Sequence, residues 1–265
     1  MMCAAPSHSS PTVQPLISVR NMTLSFESKI IQENISFDVH RGSIFAVMGG
    51  SGCGKSTLLK NMIGLQHPSS GQMFIDGEDY WAQDESRRSV INHRFGVLFQ
   101  GGALWTSMTI GENVALPLEM FTDLPPKIIR ELVRLKLGLV GMEHAINLFP
   151  SEISGGMCKR AGLARAIALD PDILFFDEPS AGLDPITSSR LDDLILALRD
   201  GLGVTIVIVS HELQSLFTIA DDGIFLDAQK HTAIAHGSPT DLRNTCPIPE
   251  VKAFMNRLSS VSPTK

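Results

Sequence analysis

The sequence predicts an α/β protein in which helices cover a buried sheet, with an antiparallel β patch near the start and an inserted α-helical subdomain. Three observations carry this. Hydrophobic residues make up 43% of the 265 but aromatics only 6%, so the apolar content is mostly Leu, Ile, Val, Ala and Met. That mix suits helices on a sheet better than a β-sandwich. Apolar runs of strand length, such as Ile173 to Phe176 and Ile206 to Val209, alternate with stretches of helical period. Between 101 and 150 the strand pattern disappears.

Along the chain, LISVRNMTLSF and NISFDV alternate in the manner of strands and form the expected antiparallel patch. Val39 to Gly42 is a turn before a buried strand over 43–48, followed by a glycine-rich loop and a helix from Lys55 to about Leu65. His67-Pro68-Ser69-Ser70-Gly71 ends that helix. Met73 to Ile75 reads as a strand with a tight turn at Asp76-Gly77, and 94–99 as another strand. Pro125-Pro126 opens a helix with Ile128, Ile129, Leu132 and Val133 on one face. A helix over about 155–168 leads to the strand ILFFD at 173–177. Asp184-Pro185 caps the next helix, whose stripe is Leu191, Leu194, Ile195 and Leu198, and Gly201 and Gly203 stop it. VTIVIVS is a strand, 212–220 a helix, and IFLD with TAIAHG a hairpin. Val251, Phe254, Met255 and Leu258 repeat an amphipathic spacing, a docking helix for its own domain or a neighbour.

Several function classes fall away. A net charge of −6 gives no nucleic-acid footprint. No apolar run approaches the roughly 20 residues a membrane span needs. Residues 1–15 lack the basic start and apolar middle of a secretory signal and read as a disordered lead-in. The chain is therefore expected in the cytosol, soluble or attached through a partner. Cys3, Cys53, Cys158 and Cys246 form no CxxC pair, so reduced thiols are expected.

The chemistry lies in four places. GGSGCGKS, Gly49 to Ser56, fits G-x-x-x-x-G-K-[ST] between a predicted strand and a helix. Glycines let backbone N–H groups curl around phosphate, and the helix N-terminus adds its positive end. Lys55 can reach the β- and γ-phosphates, and the Ser56 hydroxyl can ligate Mg²⁺. The strand at 173–177 delivers Asp177, able to hold Mg²⁺ through water, and Glu178, able to polarise an attacking water. Gln100 ends a strand with an amide able to touch both metal and water. His211 ends another; HELQS is not HExxH, because Ser stands at 215, so a γ-phosphate contact fits better than a zinc protease.

These motifs, in this order, resemble the motif set of an ABC transporter ATPase over about 16–240: GGSGCGKST, Gln100, SGGMCKRAGLARAIALDPDILFFDEP, SAGLD and SH. The resemblance implies a P-loop NTPase (RecA-like) nucleotide-binding domain with a helical subdomain over about 101–165, and a docking helix and tail over 241–265. It makes Gly49, Gly50, Ser51, Gly52, Cys53, Gly54, Lys55, Ser56 and Thr57 the loop around ATP, and Phe26 the aromatic stacked on adenine. Glu178, His211, Lys55 and Gln100 are then catalytic, and Ser56, Gln100 and Asp177 hold Mg²⁺. Two domains of this family pair head to tail, so Ser154, Gly155, Gly156 and Met157, with Asp184 of the SAGLD loop, are expected at the nucleotide of a second copy. Met157 replaces the common Gln and Ile153 the common Leu; neither removes the backbone donors.

FQGGALW, GENVALPLEM, SGGMCKRAGLARAIALDPD and GLDPIT resemble more narrowly the ATPases of MCE/Mla phospholipid-trafficking systems, with Trp105 where Phe is usual. That resemblance implies a homodimer on the cytoplasmic face of a bacterial inner membrane. Its expected partners are integral-membrane permease subunits, an MCE-domain lipid-binding protein and a STAS-domain protein. The alternatives are an ABC ATPase for another cargo, a non-transport ABC protein, or an inactive nucleotide-binding subunit. Intact Lys55, Asp177, Glu178 and His211 argue against the last.

Overall fold

The computed structural model describes residues 14–27 and 29–257. The expected lead-in lies outside the described residues up to position 13, as does Leu258. Two sheets form the frame. The first is antiparallel and pairs β1 (Ile17–Phe26), β2 (Lys29–Val39), β4 (Ser70–Ile75) and β5 (Glu78–Asp79) in the order β2-β1-β4-β5. The second runs β10-β9-β3-β8-β7-β6, from β3 (Ile44–Gly49), β6 (Phe95–Leu98), β7 (Ile173–Asp177), β8 (Thr205–Val209), β9 (Asp222–Asp227) and β10 (Thr232–His236). Its strands are parallel except β10, which returns antiparallel to β9 as the expected hairpin.

The parallel strands read as continuous apolar runs because both faces are covered. Ile44, Ala46, Met48, Leu174, Phe176, Ile206 and Ile208 face one core, shared with α3 (Ile110–Phe121), α4 (Pro126–Leu139), α5 (Gly155–Ala166), α6 (Pro185–Leu202) and α7 (Leu213–Ile219). The alternate residues Phe45, Val47, Ile173, Phe175, Val207 and Val209 face a second core. That core is closed by the antiparallel sheet and α1 (Lys55–Met62), with Phe37 stacked on Phe45 at 5.0 Å.

Three helices gave no readable signal. In α2 (Glu85–Asn92) only Ile91 is buried, so there is no apolar stripe. In α3 a capping box between Thr109 and Glu112 starts the helix, but Pro117 interrupts its pattern. α8 (Pro239–Thr245) is seven residues long. Other expectations shift. β2 begins at Lys29 rather than Asn34, and α1 stops three residues before Leu65. Ile129 and Val133 are buried in α4, but Ile128 points outward at 38% exposure. α6 passes through Gly201 and ends at Gly203, whose φ of +67° is the left-handed cap glycine favours. The tail forms α9 (Pro249–Met255), with Val251 and Met255 buried in the chain's own core and Phe254 edge-on to Phe225 at 5.0 Å.

Candidate active site

Four adjacent parallel strands bring the predicted residues to one edge. β3 ends in the glycine loop, β6 stops two residues before Gln100, β7 ends at Asp177 just before Glu178, and β8 ends shortly before His211. Parallel strands share their carboxyl edge, so residues more than 150 positions apart converge there. The result is a cleft of about 1060 Å³ whose walls include Phe26, Lys55, Ser56, Gln100, Glu178 and His211.

The loop owes its path to its glycines. Gly49 has φ +145°, and a Cβ there would lie 2.6 Å from Cys53 Sγ. Gly54 has φ +97° and sits at the N-cap of α1. Lys55 is the first residue of α1 and is 8% exposed. Its Nζ donates to the Gly49 and Gly50 carbonyls, both at 2.9 Å. Two of the three ammonium protons are thus spent on loop carbonyls, and the Cys53 sulfur, a weak acceptor 4.0 Å away, is the third neighbour, with which a phosphate oxygen would compete. Cys53 is buried, with its thiol pushed up by burial against the opposing influence of Lys55. Its side chain packs in the core beneath the loop, so only its backbone serves the cleft.

Ser56 Oγ donates to Asp177 Oδ1 at 3.3 Å. Burial raises the Asp177 carboxyl above its ordinary range, and the Glu178 charge adds to this; the Ser56 hydroxyl, Lys60 and Lys55 pull the other way. A hydroxyl and a carboxylate this close are hard oxygen donors of the kind Mg²⁺ takes, with water and substrate oxygens filling its remaining positions. These residues fit the ion. With Mg²⁺ bound there, Ser56 and Asp177 would hold it and it would neutralise phosphate charge.

Glu178 has φ +50°, a left-handed conformation that costs a non-glycine residue about 1 kcal/mol or more. It is held there by its N–H, which donates to Val209 O at 2.8 Å, and by its carboxylate. Oε1 lies 2.8 Å from His211 Nδ1, and Oε2 accepts the His211 N–H at 3.3 Å. The two strand ends are therefore latched to each other. Phe26, at the end of β1, is 63% exposed on the cleft wall rather than in the core.

The remaining predicted residues lie elsewhere. Ser154 caps α5, its Oγ accepting the Met157 N–H at 3.3 Å. Ser154, Gly156 and Met157 line a separate hollow with Arg160 and Leu183. The Asp184 carboxylate caps α6, accepting from the Ile186 and Thr187 N–H groups at 3.1 and 3.0 Å. Within one chain this corner and the glycine loop do not meet in the cleft. Sequence reasoning missed His231 and Phe254 on the cleft wall. Phe254 carried a signal, the amphipathic tail, but not the direction of its docking. Lys159, the first cation after the 154–157 corner, donates its Nζ to the Ala181 carbonyl instead of lining the cleft; its burial favours loss of its proton, while the nearby Glu178 charge favours keeping it.

The ABC transporter family model matches residues 32–181. The intermembrane phospholipid transport system ATP-binding protein MlaF of Escherichia coli K12 is 43% identical over 248 residues, covering 94% of this chain and 91% of the relative. MlaF of Haemophilus influenzae is 42% identical over 229 residues, covering 86% of each. Among solved structures, a dimeric post-hydrolysis state of the ATP-binding cassette MJ0796, bound to ADP and Pi, superposes with a TM-score of 0.76. It is 26% identical and covers 83% of this chain and 97% of that one. With the phosphate loop, the carboxylates and the histidine converging in one cleft, the chain belongs to the ABC transporter family.

Proposed function

We propose that this chain is the ATP-hydrolysing subunit that energises phospholipid movement between the inner and outer membranes of a Gram-negative cell. The observation that carries the chemistry is the convergence of Lys55, Gln100, Glu178 and His211 on the wall of one cleft. The cargo rests on the likeness to two MlaF proteins.

In this reading the Lys55 ammonium and the loop N–H groups bind the triphosphate, and Phe26 stacks on the base. Ser56, Asp177 and Gln100 serve Mg²⁺. Glu178 takes a proton from the attacking water, and His211 fixes the orientation of its carboxylate. Each cleft is completed by a second copy, whose Ser154, Gly155 and Gly156 present backbone N–H groups at a helix start to the γ-phosphate. The 154–157 corner lines a hollow separate from its own cleft, with Ser154 and Gly155 exposed, which is consistent with a head-to-tail pair. Closure of the dimer on ATP and its opening after hydrolysis pass through the helical segment and the Gln100 loop to permease subunits. An MCE-domain lipid carrier and a STAS-domain protein complete the assembly at the cytoplasmic face of the inner membrane. None of the described helices is long and apolar enough to cross a membrane, so attachment runs through the permease.

The test is a pull-down of the tagged chain from detergent-solubilised membranes, with lipid analysis of the complex. An MCE-domain protein with bound phospholipid is expected. A complex carrying a solute-binding protein for another cargo, and no lipid carrier, would overturn the assignment.

A further inference from the structure

One buried polar side chain touches the phosphate loop from behind. Gln32, on β2, is fully buried. Its Nε2 donates to the Cys53 carbonyl at 2.7 Å and to the Asp227 carbonyl at 2.9 Å. Both amide protons are thereby committed, and this fixes which way the amide points. Turned over, Oε1 would face two carbonyl oxygens, acceptor against acceptor. Oε1 itself meets no partner among the described residues, a cost the fold accepts in exchange for the two bonds.

The consequence reaches the cleft through one peptide unit. The Cys53–Gly54 peptide is planar and trans, so its C=O and N–H point in opposite directions. With the Cys53 carbonyl drawn back to Gln32, the Gly54 N–H is turned away from β2, and Gly54 lines the cleft. Glycine leaves that peptide otherwise easy to rotate. A rotated peptide would aim the Cys53 oxygen, a partial negative charge, at an anionic ligand. The loop is seated close on β2, since a Cβ on Gly54 would lie 2.6 Å from Ile31 Cγ2. The second bond, to Asp227, ties it to the end of β9.

We infer that Gln32 is a positioning residue for nucleotide binding, latching the Cys53–Gly54 peptide so that the Gly54 N–H is presented to the phosphates. This rests on the reading of the cleft as an ATP site. Gln32 never touches the ligand and acts only through the peptide plane.

The test uses the full chain with Gln32→Leu, which removes both donors at similar volume. Gln32→Met does the same with an unbranched side chain, should leucine fail to pack. Binding of ATP, inorganic tripolyphosphate and adenosine is measured for each. Both variants are expected to lose about tenfold or more in affinity for ATP and tripolyphosphate, the scale of one hydrogen bond to a charged group. Adenosine affinity should stay within about twofold. In the unaltered chain the Gly54 amide proton should move downfield on titration with tripolyphosphate. Unchanged tripolyphosphate affinity in the variants, equal losses on all three ligands, or an unmoved Gly54 resonance would each overturn the inference. An unaltered chain that binds neither ATP nor tripolyphosphate would instead reject the reading of the cleft.

Discussion

His211 Nδ1 lies 2.8 Å from Glu178 Oε1, joining the ends of two neighbouring strands. A carboxylate only accepts, so Nδ1 carries the proton of this bond. In the neutral ring Nε2 is then a lone-pair acceptor facing away from Glu178. A contact from Nε2 to a γ-phosphate oxygen therefore needs either the doubly protonated ring or release from Glu178. Glu178→Gln keeps a hydrogen-bonding side chain but removes the base. Steady-state ATPase activity should fall by a factor of about 100 or more, with ATP affinity retained. Undiminished turnover would remove Glu178 from the reaction.

Lys55 is held by two loop carbonyls, so its ammonium is pre-positioned before any ligand arrives. Lys55→Ala removes the charge and also frees those carbonyls to face the phosphates. ATP affinity by calorimetry should fall by about tenfold to a hundredfold, the scale of one charged hydrogen bond. Equal affinity in the two proteins would contradict the phosphate-loop assignment.

Asp177 gives a pH-dependent stability with a definite sign. Burial, reinforced by Glu178, raises its folded pKa above the unfolded value. A raised carboxyl favours the fold below the unfolded pKa, and that contribution is lost as pH rises through the folded value. The buried carboxyl therefore favours the nucleotide-free fold less at neutral pH than in acid. Asp177→Asn should raise Tm at pH 7 without nucleotide, with the gap to the unaltered protein closing toward pH 4. Its Mg²⁺-dependent ATPase activity should fall by about 100-fold. A lower Tm at pH 7 would show the carboxylate to be stabilising.

Most of the frame was legible because strand pattern and motif order reinforce each other. Ile173 to Phe176 and Thr205 to Val209 announce two-sided burial, and the parallel pairing then fixes where Asp177, Glu178 and His211 must emerge. What stayed hidden depended on tertiary contact. Nothing local says that Gln32, between Ile31 and Glu33, is fully buried behind the loop. Phe254 faces the cleft only because α9 folds back beside β9. α2 escaped notice because a helix with one buried residue has no stripe to read.

Cys53 illustrates the same limit. Its place inside the loop allows two readings, a thiol that alkylation would reach and ATP would protect, or an inert buried one. The structure turns the thiol into the core and raises its pKa by burial, which keeps it protonated and slow to react. In the folded protein iodoacetamide should label Cys53 far more slowly than after denaturation, with or without ATP, as read by mass spectrometry. Rapid labelling that ATP prevents would place the thiol in the cleft instead.

The most direct test of the shared nucleotide site uses mixed dimers in which both chains carry Glu178→Gln, to trap bound ATP. One dimer pairs a Lys55→Ala chain with a Gly155→Asp chain. The other pairs an otherwise unaltered chain with one carrying both changes. If each site combines the loop of one chain with the 154–156 corner of its partner, both lesions of the first dimer fall in one site, and it should retain one occluded ATP. The second dimer should retain none. The reverse result, one ATP in the second dimer and none in the first, would place each complete site within a single chain and contradict the shared clamp.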